Sequence, residues 1–423
     1  MKTVSNNMVC VTADLLLRDA GFRQWYLARS ISYAGTAATA VALPLLAYQR
    51  TGSATVTGAV AAAESLPYLL FGLPAGAVAD RVSRRRLMIA AELLAALAVL
   101  SAPAAEALGT LTAVHIVAVA AAIGTAFCWF DAAAWGALTQ IAGRDRLTRA
   151  NSLIWATATV TGIAVPALAG VAATLWDPSV VLVADSLTYL ISIALLVRLG
   201  RAVEQHGART SRRSLRKEIT SGLAYLWRQP VIRTLSLTGF GLSATSGGAL
   251  ALLVVHAHEQ LGLADGDRRI GLLYAAAAAG AFLSALALPK LSRILGTGPL
   301  SIFGYLTFLV AVLALAGSRD LWAALLLWAV CDFASATAIT NGITVRQQLT
   351  PDDLQGRVNT TGRMIAWGGT PVGAAVGGLV ADAHGVATAY LLLGMPVALA
   401  LIALVMSPVR RLTRLAQAND API

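Results

Sequence analysis

Long apolar runs alternate along this chain with short, polar and mostly basic breaks. Twelve such runs are read, at about 24–47, 55–79, 87–107, 112–138, 152–175, 179–199, 234–257, 270–289, 299–317, 321–344, 362–383 and 386–407. Each is near or above the ~20 residues that an α-helix needs to cross a bilayer. The pattern predicts an all-α integral membrane protein with twelve transmembrane helices. One break is especially tight. The second run ends at Ala79, the stretch Asp80, Arg81, Val82, Ser83, Arg84, Arg85, Arg86 follows, and the third run starts at Leu87. A backbone that leaves hydrocarbon and re-enters so soon makes a helical hairpin, because amides in lipid must be bonded within their own helix. Gly72 and Gly76 lie about one turn apart on the second run, so a neighbouring helix is predicted to approach closely there.

Composition agrees with the pattern. Of 423 residues, 57% are hydrophobic and 13% charged, with a mean hydropathy of +0.70. Soluble domains carry about 25% charged residues, so a large soluble core is excluded. A net charge of +11 would point to nucleic acid in a soluble protein. Here the distribution of the charge explains it without a nucleic-acid partner. Of the 32 Lys and Arg residues, 27 fall in the two termini and in, or at the edges of, the loops after even-numbered spans. Only Arg50, Arg268, Arg269 and Arg319 fall on the other side, and Arg29 lies within span 1. By the positive-inside rule both termini are expected in the cytoplasm. Cys10, Cys128 and Cys331 show no metal-ligand or redox spacing. No cleavable signal peptide is visible, so span 1 is expected to act as its own insertion signal.

The stretch from Arg198 to Arg233 is the one long polar interruption. It divides the chain into a first half over 1–199, a linker over 200–233 and a second half over 234–423. Within the linker, Ile219, Leu223 and Leu226 fall at helical spacing, which predicts an amphipathic helix on the inner membrane surface. The halves repeat one another. Arg81 to Arg84 corresponds to Lys290 to Arg293 at an offset of 209, and Asp131 to Asp332 at 201. Arg149-Ala150-Asn151 corresponds to Arg357-Val358-Asn359 at 208, and Pro166 to Pro371 at 205.

The loop after span 2 carries a known pattern. Gly76-x-x-x-Asp80-Arg81-x-Ser83-Arg84-Arg85 resembles the loop 2–3 signature of the major facilitator superfamily, G-x-x-x-D-R-x-G-R-R/K, with Ser83 for the second Gly. The resemblance implies two pseudo-symmetric six-helix halves and an alternating-access carrier. It also implies that Asp80 caps a helix of the other half. Glu218-Ile219-x-x-Gly222-Leu223-x-Tyr225-Leu226-Trp227-Arg228-x-Pro230 resembles the linker of the drug, macrolide and siderophore exporters of that superfamily. In span 5, Gly162-x-x-x-Pro166-x-x-Ala169-Gly170 is similar to the antiporter signature, with Val165 and Ala169 replacing glycines. Span 11 carries a similar run through Gly368, Pro371, Gly373, Gly377 and Gly378. Ala120 stands where the family has an Arg in span 4, so that residue takes no part in any proton coupling here.

A charged group inside hydrocarbon is costly and marks a functional candidate. The candidates are Arg29, Glu64, Glu92, Asp131, Asp185 and Asp332. Glu64, Asp131 and Asp332 are the first choices, as carboxylates that exchange protons or meet a cationic substrate. Their alternative role is interhelical hydrogen bonding, or a buried pair with Arg29. There is no Walker A motif, paired-His motif, nucleophile elbow or filter repeat, which argues against a fused ATPase, an in-membrane enzyme and a channel. No metal and no cofactor are implied. The sequence reads as a monomeric secondary transporter of the bacterial plasma membrane, with proton-coupled efflux of small amphipathic compounds. An importer on the same fold and a non-transporting sensor stay open.

Overall fold

The computed structural model describes residues 16–79, 81–143, 146–199, 223–264, 267–351 and 354–412. The first half contains α1 (Ala20–Thr51), α2 (Ala54–Ala79), α3 (Arg84–Ala107), α4 (Ala113–Ala142), α5 (Leu147–Trp176) and α6 (Pro178–Arg198). The second contains α7 (Pro230–Ala251), α8 (Leu253–Glu259), α9 (Arg268–Leu295), α10 (Thr297–Leu315), α11 (Leu321–Leu349), α12 (Gln355–Trp367), α13 (Gly369–His384) and α14 (Val386–Met406). The helices α7 and α8 bend by 46° into one broken span, which brings the number of candidate spans among the described residues to twelve.

Polar residues at the edges of the apolar runs set the helix starts. Asp19 accepts from the amides of Gly21 and Phe22 at 2.9 and 3.2 Å. Thr112, Asp177 and Asp320 cap α4, α6 and α11 in the same way. Such caps satisfy amides that a helix leaves unbonded. Span 11 breaks at Gly368 because Pro371 has no amide to offer the carbonyl four residues back, at Trp367.

The packing repeats between the halves. In the first, α1 packs on α5 and α6, α2 on α4, and α3 on α4 and α6. In the second, α7 packs on α13 and α14, α9 on α11, and α10 on α11 and α14. The two most extensive contacts that join the halves, α2 with α13 and α5 with α9, exchange under the same relation.

We call the side that carries Arg81 to Arg86 the basic face. The halves touch near the opposite, far face. A Cβ on Gly58 would lie 2.3 Å from the Ala374 carbonyl oxygen, and one on Gly378 2.5 Å from that of Ala54. At the other seam, a Cβ on Gly271 would lie 2.8 Å from the carbonyl carbon of Gly170. Toward the basic face the halves part. Among the described residues no neighbouring helix approaches the Cβ side of Gly72 or Gly76, in contrast to the expectation from their spacing. A Cβ on Gly76 would meet nothing within 4 Å, and one on Gly72 would meet only Tyr68 of the same helix.

Most of the expected linker, residues 200–222, lies outside the described residues. Its end, 223–228, is helical. Leu226 is buried with Ile232 and Val358, and the Tyr225 hydroxyl donates to the Leu349 carbonyl at 3.1 Å. This end therefore docks on the second half, while the large apolar side chains of Leu223 and Trp227 stay exposed.

Candidate functional site

A cavity of about 520 Å³ lies between the halves, lined by α1, α2, α4 and α5 from one and by α7, α9, α11, α12 and α13 from the other. Its walls are mostly apolar, with rings from Tyr33, Tyr68, Phe127, Tyr274 and Trp367. Two carboxylates enter it, Glu64 from α2 and Asp332 from α11. Local packing sets both directions. The backbone of Glu64 is seated on Gly124 of α4, where a Cβ would lie 1.9 Å from the Glu64 carbonyl oxygen. Cys331 is buried, and the next residue along the helix, Asp332, turns toward the cavity. Among the described residues neither carboxylate has an ion pair or a hydrogen bond. Both are half-buried, and a carboxylate at membrane depth without a partner is costly, so each calls for a proton or a cation.

On the basic-face side of the cavity a bridge crosses between the halves. The Arg363 guanidinium sits 5.2 Å from the Tyr68 ring centroid and 5.3 Å from that of Trp367. It also donates to the Tyr68 hydroxyl. Tyr68 belongs to the first half, and Arg363 and Trp367 to the second. On the far face, Asp382 of α13 holds the start of α2. It accepts from the Ser53 hydroxyl at 2.6 Å and from the amides of Ala54 and Thr55 at 2.6 and 2.9 Å. In the far-face loop before α9, hydrogen bonds from Arg269 hold the Asp267 carboxyl below the ordinary carboxylate range.

Of the sequence candidates, the structure gathers Glu64, Asp332, Gly162 and Pro166 on the cavity wall. Arg29 and Asp131 stand apart from it. They pair with each other at 2.8 Å, and Arg29 lies 4.9 Å from the Trp135 ring centroid. Asp131 and Asp332 thus occupy related positions in unlike surroundings. Gly170 is the crossing point of α5 with α9, and Pro371 and Gly373 are buried against α7. A Cβ on Gly373 would lie 1.7 Å from the Ala244 carbonyl oxygen.

The arginines of loop 2–3 bind within their own half. Arg84 donates to the Gly136 carbonyl at 2.7 Å. Arg85 donates to the carbonyls of Leu196 and Val197, at 2.8 and 2.6 Å, at the C-terminus of α6. Cations are favoured at that end of a helix. Arg81 is exposed, and Asp80 lies outside the described residues. Glu92 and Asp185 are buried away from the cavity, between α1, α3 and α6.

Sequence reasoning passed over Tyr68, Arg363, Trp367 and Asp382. Arg363 reads as a loop cation because it stands at the edge of span 11. Asp382 had a usable signal. A carboxylate in the last turn of a helix opposes that helix's own dipole, which marks it as serving another helix's N-terminus.

Comparison with known proteins extends the picture. Residues 14–422 match the family described as transmembrane secretion effectors. The chain is 29% identical over 378 residues to the multidrug efflux pump Tap of Mycolicibacterium fortuitum, covering 86% of this chain and 90% of that protein. It is 28% identical over 410 residues to the pump of the same name from Mycobacterium tuberculosis, covering 92% and 94%. Among solved structures it resembles the nucleoside transporter NupG, with a TM-score of 0.72 at 13% identity, over 90% of this chain and 97% of that one. It also resembles a bacterial homologue of the iron transporter ferroportin in the inward-facing state, with a TM-score of 0.71 at 17% identity, over 92% and 98%. At these identities the solved structures speak for the fold alone. The chain is a multi-pass membrane protein of the major facilitator superfamily, in the transmembrane secretion effector family, and so a transporter rather than an enzyme.

Proposed function

We propose that the protein exports small amphipathic cations across the cell membrane by alternating access, driven by protons. The observation that carries this reading is the pair of unpaired carboxylates, Glu64 and Asp332, brought from opposite halves into one ring-lined cavity. An apolar wall with aromatic faces suits a flat, greasy solute, and a carboxylate without a partner suits its positive charge. A proton competes for the same oxygens, so substrate and proton displace one another and antiport follows. The similarity to pumps named for multidrug efflux supports the substrate class.

The basic face is the cytoplasmic one by its charge. Both termini then lie in the cytoplasm, and the far-face seam is the outer gate. The halves are the moving bodies, over 1–199 and 234–423, joined by the linker at 200–233, and the monomer is the working unit. Opening would separate α2 from α13 and α5 from α9, while the ends at Gly72 and Gly76 close.

The test uses ethidium, a fluorescent lipophilic cation, in proteoliposomes with an imposed pH gradient. Wild-type protein accumulates ethidium against its gradient on the side that supplies the protons. Glu64→Gln and Asp332→Asn each abolish that accumulation, and at least one still binds ethidium. Accumulation at the wild-type rate in both variants would make the two carboxylates structural. Uptake in the opposite sense would mark an importer.

A further inference from the structure

Behind the cavity wall, α3 carries a second carboxylate that the exporter reading does not use. Glu92 is 2% exposed. One of its oxygens accepts from the Ser192 hydroxyl of α6 at 3.0 Å. The other, Oε2, has no hydrogen-bond partner among the described residues, with the Ser32 hydroxyl nearby. Beside it lies a cavity of about 20 Å³, lined by Glu92 with Ser32 and Thr36 of α1 and Tyr189 of α6. That volume has room for a single water. From α4 the site is faced by Ile123, Ala126, Phe127 and Phe130, none of them ionisable.

The other ionisable groups around it are on α6. Tyr189 shares a hydrogen bond with the Thr36 hydroxyl at 2.9 Å. Asp185, about one turn away, is already satisfied. It accepts from Thr39 and, at 2.9 Å, from Thr188. No Lys, Arg or His lines the small cavity, so the Glu92 charge has no fixed counterion there. Thr36, Ile123 and Phe127 also line the central cavity. One hydroxyl and two apolar side chains therefore separate Glu92 from the space that Glu64 faces.

We infer that Glu92 is a proton site of its own, separate from the substrate cavity and reached from it through the Thr36 and Tyr189 hydroxyls and one buried water. In loading, a hydronium ion in the central cavity gives up its extra proton and reverts to water. Each hydroxyl accepts one proton and passes on its own, and Glu92 Oε2 becomes the O–H of a carboxylic acid. Unloading runs the same steps in reverse, and no other bond changes. The inference rests on the exporter reading for its consequence. A proton held here stays bound while substrate exchanges at Glu64 and Asp332, so coupling and substrate binding separate.

Two assays in proteoliposomes read this with ethidium as the probe: downhill exchange without a pH gradient, and accumulation driven by one. Wild type performs both. Glu92→Gln keeps exchange and loses accumulation. Glu92→Asp regains accumulation with a displaced pH profile. If Glu92→Gln does not insert, Glu92→Asp carries the comparison, and an undisplaced profile overturns the inference. Accumulation by Glu92→Gln at the wild-type level also overturns it. So does accumulation that follows a sodium gradient at clamped pH and vanishes in Glu92→Gln, which would mark a sodium site. If wild type fails both assays, the exporter reading fails, and Glu92 is judged by pH-difference infrared spectroscopy. A carboxyl band present in wild type and absent from Glu92→Gln supports the proton site, and no such band refutes it.

Discussion

Asp382 offers the sharpest test of how the far face is held shut. It projects from the last turn of α13 and accepts three hydrogen bonds from the first half, from Ser53, Ala54 and Thr55. Two of these donors are amides at the start of α2, which the helix itself cannot bond. The carboxylate is exposed, so water replaces part of what is lost on its removal. Losing an N-cap acceptor to Ala costs ~0.5–2 kcal/mol. A value near the middle, about 1 kcal/mol, changes the closed-to-open ratio about fivefold. Asp382→Asn keeps one acceptor oxygen but loses the charge, and about half of that energy corresponds to about twofold.

The assay is alkylation of a cysteine at Ala40, an exposed lining residue of the cavity on α1. The background lacks Cys10, Cys128 and Cys331, and a membrane-impermeant maleimide is added only at the far face. When opening is faster than alkylation, the rate follows the open fraction. Asp382→Ala should raise it about fivefold and Asp382→Asn about twofold. Asp320 is the control, since it caps α11 within its own half through Ala323 at 2.9 Å. Asp320→Ala should leave the rate unchanged. An unchanged rate in Asp382→Ala would refute the latch, and an equal rise in both variants would point to general loosening.

Other outcomes follow from the packing and the charges. Asp131→Leu strands Arg29, and breaking such a pair costs about 3–5 kcal/mol when it is fully buried. Side-chain exposures of 17% and 12% place this pair toward the lower end. Thermal unfolding in detergent should fall accordingly and recover in the Arg29→Met, Asp131→Leu double variant. Gly373→Ala pushes a Cβ against the Ala244 carbonyl, and such overpacking lowers stability by about 1–3 kcal/mol in the same measurement. Asp80→Asn should slow ethidium transport about two- to fivefold while the protein still inserts, from a helix-end interaction of ~0.3–1 kcal/mol. Normal flux would leave loop 2–3 as a topogenic turn. Reporter fusions at Gly207 and Asp265 should report opposite sides of the membrane, and the same side for both would end the twelve-span topology.

The fold was legible because a bilayer imposes a single period of apolar length, and the basic loops set the register of the twelve spans. The cavity carboxylates were legible for the same reason, since Glu64 and Asp332 stand out against hydrocarbon. What each carboxylate faces was not legible. Asp131 and Asp332 match in sequence position, yet Asp131 pairs with Arg29, while Arg233, at the related place in α7, lies over the Trp227 ring instead. The Tyr68, Arg363 and Trp367 bridge was hidden for a different reason. It joins residues almost 300 positions apart, and helical periodicity says nothing about which helix faces which. The Gly72 and Gly76 spacing was read as a packed surface, and the structure leaves it open because the halves diverge there.

The far seam has one more consequence. Apart from the Asp382 carboxylate, it is built largely from main chain against main chain, with Gly58 on the Ala374 carbonyl, Gly378 on that of Ala54, and Gly271 on Gly170. The cavity, by contrast, is built from side chains. On the alternating-access reading, mutation can therefore redraw the cavity wall, ring by ring and charge by charge, without touching the seam that would open and shut it. Drift in what the pump recognises and constancy in how it moves are written on different atoms, so a lineage under chemical attack can change the first and inherit the second.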